Sequence, residues 1–415
     1  MRIGVVPVLN PSWGGTFQYS QTALPVIQRW VAANGDDVVV VGEAAAPEGG
    51  PPFGLPFVQV ADPAGLGRQL IRLRRKIPRL IAGARRDLRP FGHDGHARQR
   101  LQRAGIDLLV CLYPTPIGFE TGIACVMPVH DLQHRISPRF PEVGAPRERR
   151  AREYLYRNAA RTAVRLIVDS QVGADDVVAC YGDENPGLRE RIAVVPFLPS
   201  GTLPDTVAPE TLDRVRGRYG LPPRYLFYPA QFWEHKNHVR LVEAVAKVRD
   251  RLGEPVPLVL AGSHSGKLRE RTFAQTMARV DELGIGGDVA YLGYVPDEDM
   301  APLYRGAVAL VFPTFFGPTN IPVVEAWKLG CPVLTSDIRG IREQVGDAGV
   351  LVDPTSVDAM ADGIAELWSD EELAHSLIQR GRRRAASYTE ADFGARLIDV
   401  LDRARAQVGA GITPA

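Results

Sequence analysis

Phe315-Phe316-Gly317-Pro318-Thr319-Asn320-Ile321-Pro322-Val323-Val324-Glu325-Ala326 follows an unbroken apolar run, Val308-Ala309-Leu310-Val311-Phe312-Pro313. The run shows no polar alternation and reads as a buried strand. Glu325-Ala326-Trp327-Lys328-Leu329 reads as the start of a helix that stops at Gly330. A strand, a tight Gly/Pro/Asn loop and a helix form an anion site. Amide N–H groups at a helix N-terminus point out of the loop, and the helix dipole favours negative charge there. An acid placed in the first turns needs a partner of its own, such as a ribose hydroxyl. The combination suits a nucleoside diphosphate, and the alternative is a structural αβ corner.

Working outward, short apolar runs alternate with helical stretches along all 415 residues. The runs at 3–8, 38–41, 108–112, 125–129, 166–169 and 193–196 form one series; those at 225–228, 258–261, 289–292, 308–312, 333–335 and 350–352 form a second. Continuous Val/Ile/Leu runs indicate strands covered on both faces, hence parallel sheets, and the alternation indicates right-handed βαβ units. A chain of this length exceeds one core, so two doubly wound α/β domains are expected. The break falls in the proline-rich stretch 198–209. The expected boundaries are 1–200, 201–390 and a last helix, 391–415, that packs back on the first domain.

Composition narrows the class. Hydrophobic content of 45% and charge of 23% are ordinary for a globular protein. No apolar run reaches the roughly 18 residues of a membrane span. Met1-Arg2-Ile3-Gly4 begins a strand directly, without signal-peptide order. Cys111, Cys125, Cys180 and Cys331 have neither metal nor disulfide spacing. A cytoplasmic location, without resident metal or cofactor, is the expectation. Net charge is +1, yet Arg68–Arg103 carries twelve Lys/Arg against Asp87 and Asp94, a local +10. Interleaved Leu and Ile make it an amphipathic basic pattern, suited to an anionic membrane surface or to covering its own core. Nucleic acid is disfavoured because stacking aromatics are missing there.

Other loops carry candidate chemistry. Asn10–Tyr19 contains Gly14-Gly15, which either permits close approach to a ligand or forms a plain βα turn; it is not a dinucleotide fingerprint. His130, at the tip of the run 125–129, is placed to bind substrate or to serve structure. His134, four residues on, invites a metal reading, but no third ligand follows at useful spacing. Tyr228–His238 places Lys236 in a strand-to-helix loop, where an ammonium can balance phosphate charge. Two or three charge-assisted bonds of roughly 1.5–3 kcal/mol each could anchor a diphosphate without metal. Gly293-Tyr294-Val295-Pro296 ends a strand where backbone groups could read a base edge.

The chain resembles retaining glycosyltransferases of the GT-B fold, family 4, also called glycosyl transferases group 1. The likeness rests on "VHDLQH" (129–134), "IVDSQVGADDVVACYG" (167–182), "HKNHVRLVEA" (235–244), "LAGSHSG" (260–266), "YLGYVPDEDMAPLYRGAVALVFPT" (291–314), "IPVVEAWKLGCPVLTS" (321–336) and "GDAGVLVDP" (346–354). It implies two Rossmann-like domains facing across a cleft, the first binding acceptor and the second a nucleotide-diphosphate sugar. It further implies that Gly14 and Gly15 approach the donor phosphates, that His130 contacts the donor sugar or its phosphate, and that Lys236 neutralises the diphosphate. Thr319, Asn320 and Ile321 would present backbone amides to phosphate and sugar, Tyr294 and Val295 would read the base, and Glu325 would hold the ribose.

Two departures stand out. Gly317 occupies the position of the family's first glutamate, and Ala230 and Gln231 stand where its loop arginine is usual. Gln231 remains a donor-side candidate. Thr319 and Asn320 are candidates for hydrogen bonds at the reaction centre, and neither can act as a nucleophilic carboxylate. The expected reaction is therefore metal-independent transfer without a covalent enzyme intermediate. The donor would be of the GDP-mannose, UDP-glucose or UDP-N-acetylglucosamine type and the acceptor a glycan or lipid-linked glycan. The alternative from another class is a non-catalytic sugar-nucleotide-binding protein.

Overall fold

A computed structural model describes residues 1–10, 13–43, 52–60 and 94–411. Most of the basic segment, residues 68–93, lies outside the described residues. The chain divides into two compact units, one of 1–138, 143–196 and 390–415, the other of 139–142 and 197–389.

In the first unit seven strands are described: β1 (Arg2–Val6), β2 (Asp37–Gly42), β3 (Phe57–Gln59), β4 (Leu108–Cys111), β5 (Ala124–Pro128), β6 (Arg165–Val168) and β7 (Ile192–Val194). They run in the order β3-β2-β1-β4-β5-β6-β7, and every described pairing is parallel. β3 is a short edge strand that the sequence reading lacks. β4 and β5 are buried at every residue, as helices on both faces of a parallel sheet require.

The second unit holds β8 (Leu226–Pro229), β9 (Leu258–Ala261), β10 (Val289–Tyr291), β11 (Ala309–Phe312), β12 (Val333–Ser336) and β13 (Val350–Val352). Their order is β10-β9-β8-β11-β12-β13, again with parallel pairings. Both sheets are thus doubly wound, as the sequence leads one to expect. The strand order reverses between β1 and β4 in the first sheet and between β8 and β11 in the second. Those reversals are where open α/β sheets place ligands, beyond the carboxyl ends of the strands.

The last helix, Glu390–Gly409, belongs to the first unit. Its apolar face buries Phe393, Leu397, Val400 and Leu401. The Trp30 indole donates to Asp402 at 2.7 Å, Arg405 pairs with Asp36 at 2.8 Å, and Arg165 donates to Gln407 at 2.8 Å. Asp36 also accepts from the N-terminal ammonium. Among the described residues, no helix is long and apolar enough to cross a membrane.

Candidate functional site

In the second unit, the loops after β8 and β11 flank the strand-order reversal and are bonded to each other. The Phe315 amide donates to the His235 carbonyl at 2.8 Å. The His235 ring stacks on Phe316 at 3.7 Å. Its backbone N–H and Nδ1 both meet the Glu142 carboxylate, at 2.9 and 2.6 Å. Burial pushes Glu142 up, but the two bonds from His235 more than offset it and hold the carboxyl below its usual range. Residues 139–142, which the sequence reading places in the first domain, thereby form part of the second unit. The ring of Phe140 packs on Phe315 and Phe316.

Lys236 lies in the first of these loops. Its carbonyl accepts from the Tyr228 hydroxyl at 2.5 Å, and its ammonium stands 4.6 Å over the Phe312 ring. Asn237 closes the loop at φ 65, a left-handed conformation that Asn tolerates better than most residues. Its side chain donates to the Pro354 carbonyl at 2.8 Å. The helix His238–Leu252 follows, with the His238 ring stacked on Phe232 at 4.2 Å. Burial drops His238 to about 3, so it is a neutral aromatic spacer. Further cations gather at the aromatic residues of this loop pair: the guanidinium of Arg139 lies 4.8 Å from the Phe315 ring and that of Arg240 lies 5.6 Å from it. Gln231 accepts from Arg269 at 2.9 Å and from the Trp233 indole at 3.0 Å, so the position bears an arginine contact though not an arginine.

The second loop corrects one expectation. The helix runs Ile321–Leu329, beginning four residues before Glu325, with Asn320 at its N-cap, Pro322 in its first turn and Gly330 ending it at φ 67. Proline fits the first turn because its missing N–H would be unpaired there anyway. Glu325 therefore sits in the second turn, where it is 5% exposed. It already has partners: the Tyr304 hydroxyl at 2.8 Å and the Ser200 backbone. Burial raises its carboxyl to about 7, with the two hydrogen bonds opposing that rise.

A second correction concerns Asn320. Its amide, expected to face phosphate, donates to Gln344 Oε1 at 2.9 Å, and its carbonyl accepts from Gln344 Nε2 at 2.9 Å. The amides of Thr319 and Ile321 remain the loop's donor-facing candidates. Thr319 is half-buried and Ile321 buried. Tyr294 is exposed and Val295 buried, both in the turn after β10 at the sheet edge. Sequence reasoning missed Gln344, Glu142 and His235; each acts through a contact whose partner lies 24 or 93 residues away.

The first unit carries the remaining candidates. Gly14 has φ 56 and caps the helix Gly15–Ala33, so the loop after β1 uses the positive φ that glycine permits. Ser20 Oγ, on that helix, accepts from the Val8 amide at 3.0 Å and ties the loop to it. His130 follows β5, with its ring edge-on to Tyr19 at 5.7 Å. Burial depresses it to about 4, so its imidazole is neutral near pH 7. Adjacent Asp131 pairs with Arg152; burial works to raise this carboxyl, yet the guanidinium holds it below its usual range. His134 does not join His130: its Nε2 faces Glu153 at 3.3 Å and the Tyr181 hydroxyl at 3.4 Å.

Two doubly wound Rossmann-like sheets with loops gathered at the strand-order reversals define a GT-B fold. Residues 213–384 match the family model "Glycosyl transferases group 1", and this second unit belongs to that family. The chain is 38% identical over 103 residues to O-antigen chain mannosyltransferase B of Escherichia coli, covering 25% of the chain and 27% of that protein. It is 30% identical over 221 residues to D-inositol 3-phosphate glycosyltransferase of Mycolicibacterium smegmatis, covering 52% and 47%. The chain thus spans about a quarter and about half the length of these curated relatives. The solved structure of Anabaena Alr3699/HepE in complex with UDP and glucose superposes with a TM-score of 0.70 at 17% identity, over 97% of this chain and 99% of that one.

Proposed function

We propose that the protein is a retaining, metal-independent glycosyltransferase that moves a hexose from a nucleotide-diphosphate sugar to a hydroxyl of a glycan or lipid-linked acceptor. The observation that carries this reading is the pairing of the loops after β8 and β11 through His235. It ties the loop that carries Lys236 to the loop that leads into the helix Ile321–Leu329 at the reversal of one sheet, an arrangement that suits donor phosphates, in a unit that matches the glycosyl transferases group 1 family.

The chemistry follows from that charge. The bond between the anomeric carbon and the diphosphate oxygen breaks, and its electron pair stays on the diphosphate. Lys236 and the loop amides stabilise the charge as it develops, which is where fixed donors act most strongly. The acceptor oxygen bonds the anomeric carbon on the face the diphosphate leaves. Its proton passes to the departing phosphate oxygen. No enzyme carboxylate is consumed, which accords with Gly317 in place of an acid. His130, neutral, offers a hydrogen bond to the sugar. The mannosyltransferase likeness puts GDP-mannose first among donors, ahead of UDP-glucose and UDP-N-acetylglucosamine. The protein would act in the cytoplasm, with Arg68–Arg103 facing an anionic membrane; salt-sensitive flotation with anionic vesicles tests that contact.

Purified protein incubated with each donor and a glycan acceptor should release nucleoside diphosphate, and Lys236→Ala should abolish most of that release. Gly317 favours the second reading, a sugar-nucleotide binder without turnover. Donor binding in a thermal-shift assay with no diphosphate release from any donor would establish that reading instead.

A further inference from the structure

Gly317 and Asn320 share one space. Gly317 has φ 120, and a Cβ added there would stand 3.0 Å from Asn320 Oδ1 and 3.1 Å from Nδ2. The Asn320 carboxamide thus fills the volume that a side chain at 317 would enter. Although Asn320 holds the N-cap position, its side chain makes no capping hydrogen bond. Asn320 is 7% exposed, and its Nδ2 is shielded from solvent with no acceptor among the described residues. Buried amide donors are nearly always paired, so this one is a donor in want of an oxygen.

The backbone of Asn320 is fixed from the other side. Gln344 grips both its N–H and its C=O, as a neighbouring strand would. The helix that carries Gln344, Arg339–Val345, lies so close that a Cβ on Gly340 would be 2.5 Å from the Pro318 carbonyl oxygen. Arg384 in turn donates to the carbonyls of Gln344 and Glu343, each at 2.6 Å. The loop is therefore braced from Arg384 through Gln344 to Asn320.

We infer that Gln344 is a positioning residue for donor binding: by holding the Asn320 peptide groups, it fixes the Asn320 Nδ2 donor for an acceptor oxygen of the ligand, on the diphosphate or on the sugar. The inference rests on the proposed donor site and assigns this chain a neutral amide where residue 317 offers no side chain. It requires a one-donor, one-acceptor group at 344. A protonated glutamic acid satisfies that pattern and an ionised one does not.

The test uses the full chain and titrates GDP and GDP-mannose by calorimetry. Gln344→Ala is expected to weaken binding by about tenfold or more, the loss of roughly one hydrogen bond. Gln344→Glu is expected to recover toward wild-type binding as pH falls to about 4 and to sit at the level of Gln344→Ala near pH 8, relative to wild type at each pH, because an ordinary Glu titrates near 4.3 and is ionised above it. Asn320→Leu, which keeps the shape and removes the donor at every pH, is expected to weaken binding without the pH rescue. Hydrogen exchange of the Asn320 amide should accelerate in Gln344→Ala, with no change in the strands of the sheet. A folded Gln344→Ala that binds as wild type overturns the inference alone. Wild-type protein that binds neither GDP nor GDP-mannose overturns the donor site and this inference together. A Gln344→Glu variant whose affinity relative to wild type is independent of pH overturns the positioning role.

Discussion

The Tyr304 hydroxyl donates to Glu325 Oε2 at 2.8 Å, and the tyrosine is fully buried and the glutamate nearly so. A carboxyl held in that way binds a proton more readily than an exposed one. Its folded value of about 7 stands above the ordinary 4.5 because burial penalises the charge more than its two hydrogen bonds reward it. Between those two values the folded chain binds the proton more tightly than the unfolded chain. Stability from this group is complete below about 4.5 and is lost as pH rises to about 7. Chemical denaturation of wild type and Glu325→Gln at several pH values isolates the term. The wild type should lose stability relative to the variant across that window, by an amount on the order of 3 kcal/mol. A difference that stays flat from pH 4.5 to 7 would remove the assignment.

Tyr304→Phe follows from the same contact. It leaves Glu325 Oε2 buried with one partner fewer, and an unpaired buried acceptor costs about 1–3 kcal/mol. Urea unfolding at pH 8, where Glu325 is ionised, should show that loss; at pH 5, where the neutral acid is the stable form, the loss should shrink. Equal losses at both pH values would mean that the hydroxyl serves packing alone.

His130 titrates in the opposite sense. Burial lowers it to about 4, so the unfolded chain binds the proton more tightly between about 4 and the ordinary 6.5. Its contribution to stability is present above 6.5 and lost as pH falls to about 4. A neutral imidazole throughout the range above pH 6 gives no acid limb to turnover there. Glycosyl-transfer rates measured from pH 6 to 8 should be the same function of pH, in shape, for wild type and His130→Gln, with the variant reduced in height. A wild-type limb near 6.5 that vanishes in His130→Gln would show that the imidazole carries charge in the reaction.

The sequence made the architecture legible because parallel sheets leave a local mark. β4, β5, β11 and β12 are buried on both faces, so their residues are continuously apolar and need no partner to be recognised. β3 escaped because three half-buried residues on a sheet edge carry little of that signal. Loops after strands were also legible, since Gly, Pro and Asn punctuate them, and both Lys236 and Asn320 fall there. What stayed hidden is long-range pairing. Nothing local in Glu142 indicates that it will meet His235, and nothing in Gln344 indicates that it will grip Asn320. The helix start was misplaced for a related reason: Pro322 reads as a breaker until it is seen to occupy the first turn of a helix that begins at Ile321.

In the proposed donor site, Lys236 is the residue assigned to the phosphates. A charge-assisted bond contributes roughly 1.5–3 kcal/mol, so Lys236→Ala should weaken nucleoside diphosphate binding by about 10- to 150-fold. The loss should be smaller for a nucleoside monophosphate, which carries less charge to neutralise. Lys236→Arg should recover only part, because a planar fork does not replace a point charge over the Phe312 ring. Isothermal titration with GDP and GMP supplies all these numbers, and equal losses for the two nucleotides would move the lysine away from the diphosphate.

Gly340 provides the last test, since its contact is backbone against backbone. A methyl group there would be 2.5 Å from the Pro318 carbonyl oxygen and 2.6 Å from Pro318 Cα. Neither is the end of a flexible side chain, so the loop or its bracing helix must move. Gly340→Ala should cost about 1–3 kcal/mol in stability, as overpacking does. If the helix moves, the Gln344 grip on Asn320 opens and donor affinity falls along with stability. The pairing of the two losses is diagnostic: a buried alanine substitution of similar cost in the first unit, such as Val400→Ala on the helix Glu390–Gly409, should lower the melting temperature and leave donor affinity unchanged. Thermal unfolding and GDP titration of both variants make the comparison, and a Gly340→Ala protein that is less stable yet binds GDP as wild type would show that the helix contact supports the fold without shaping the site.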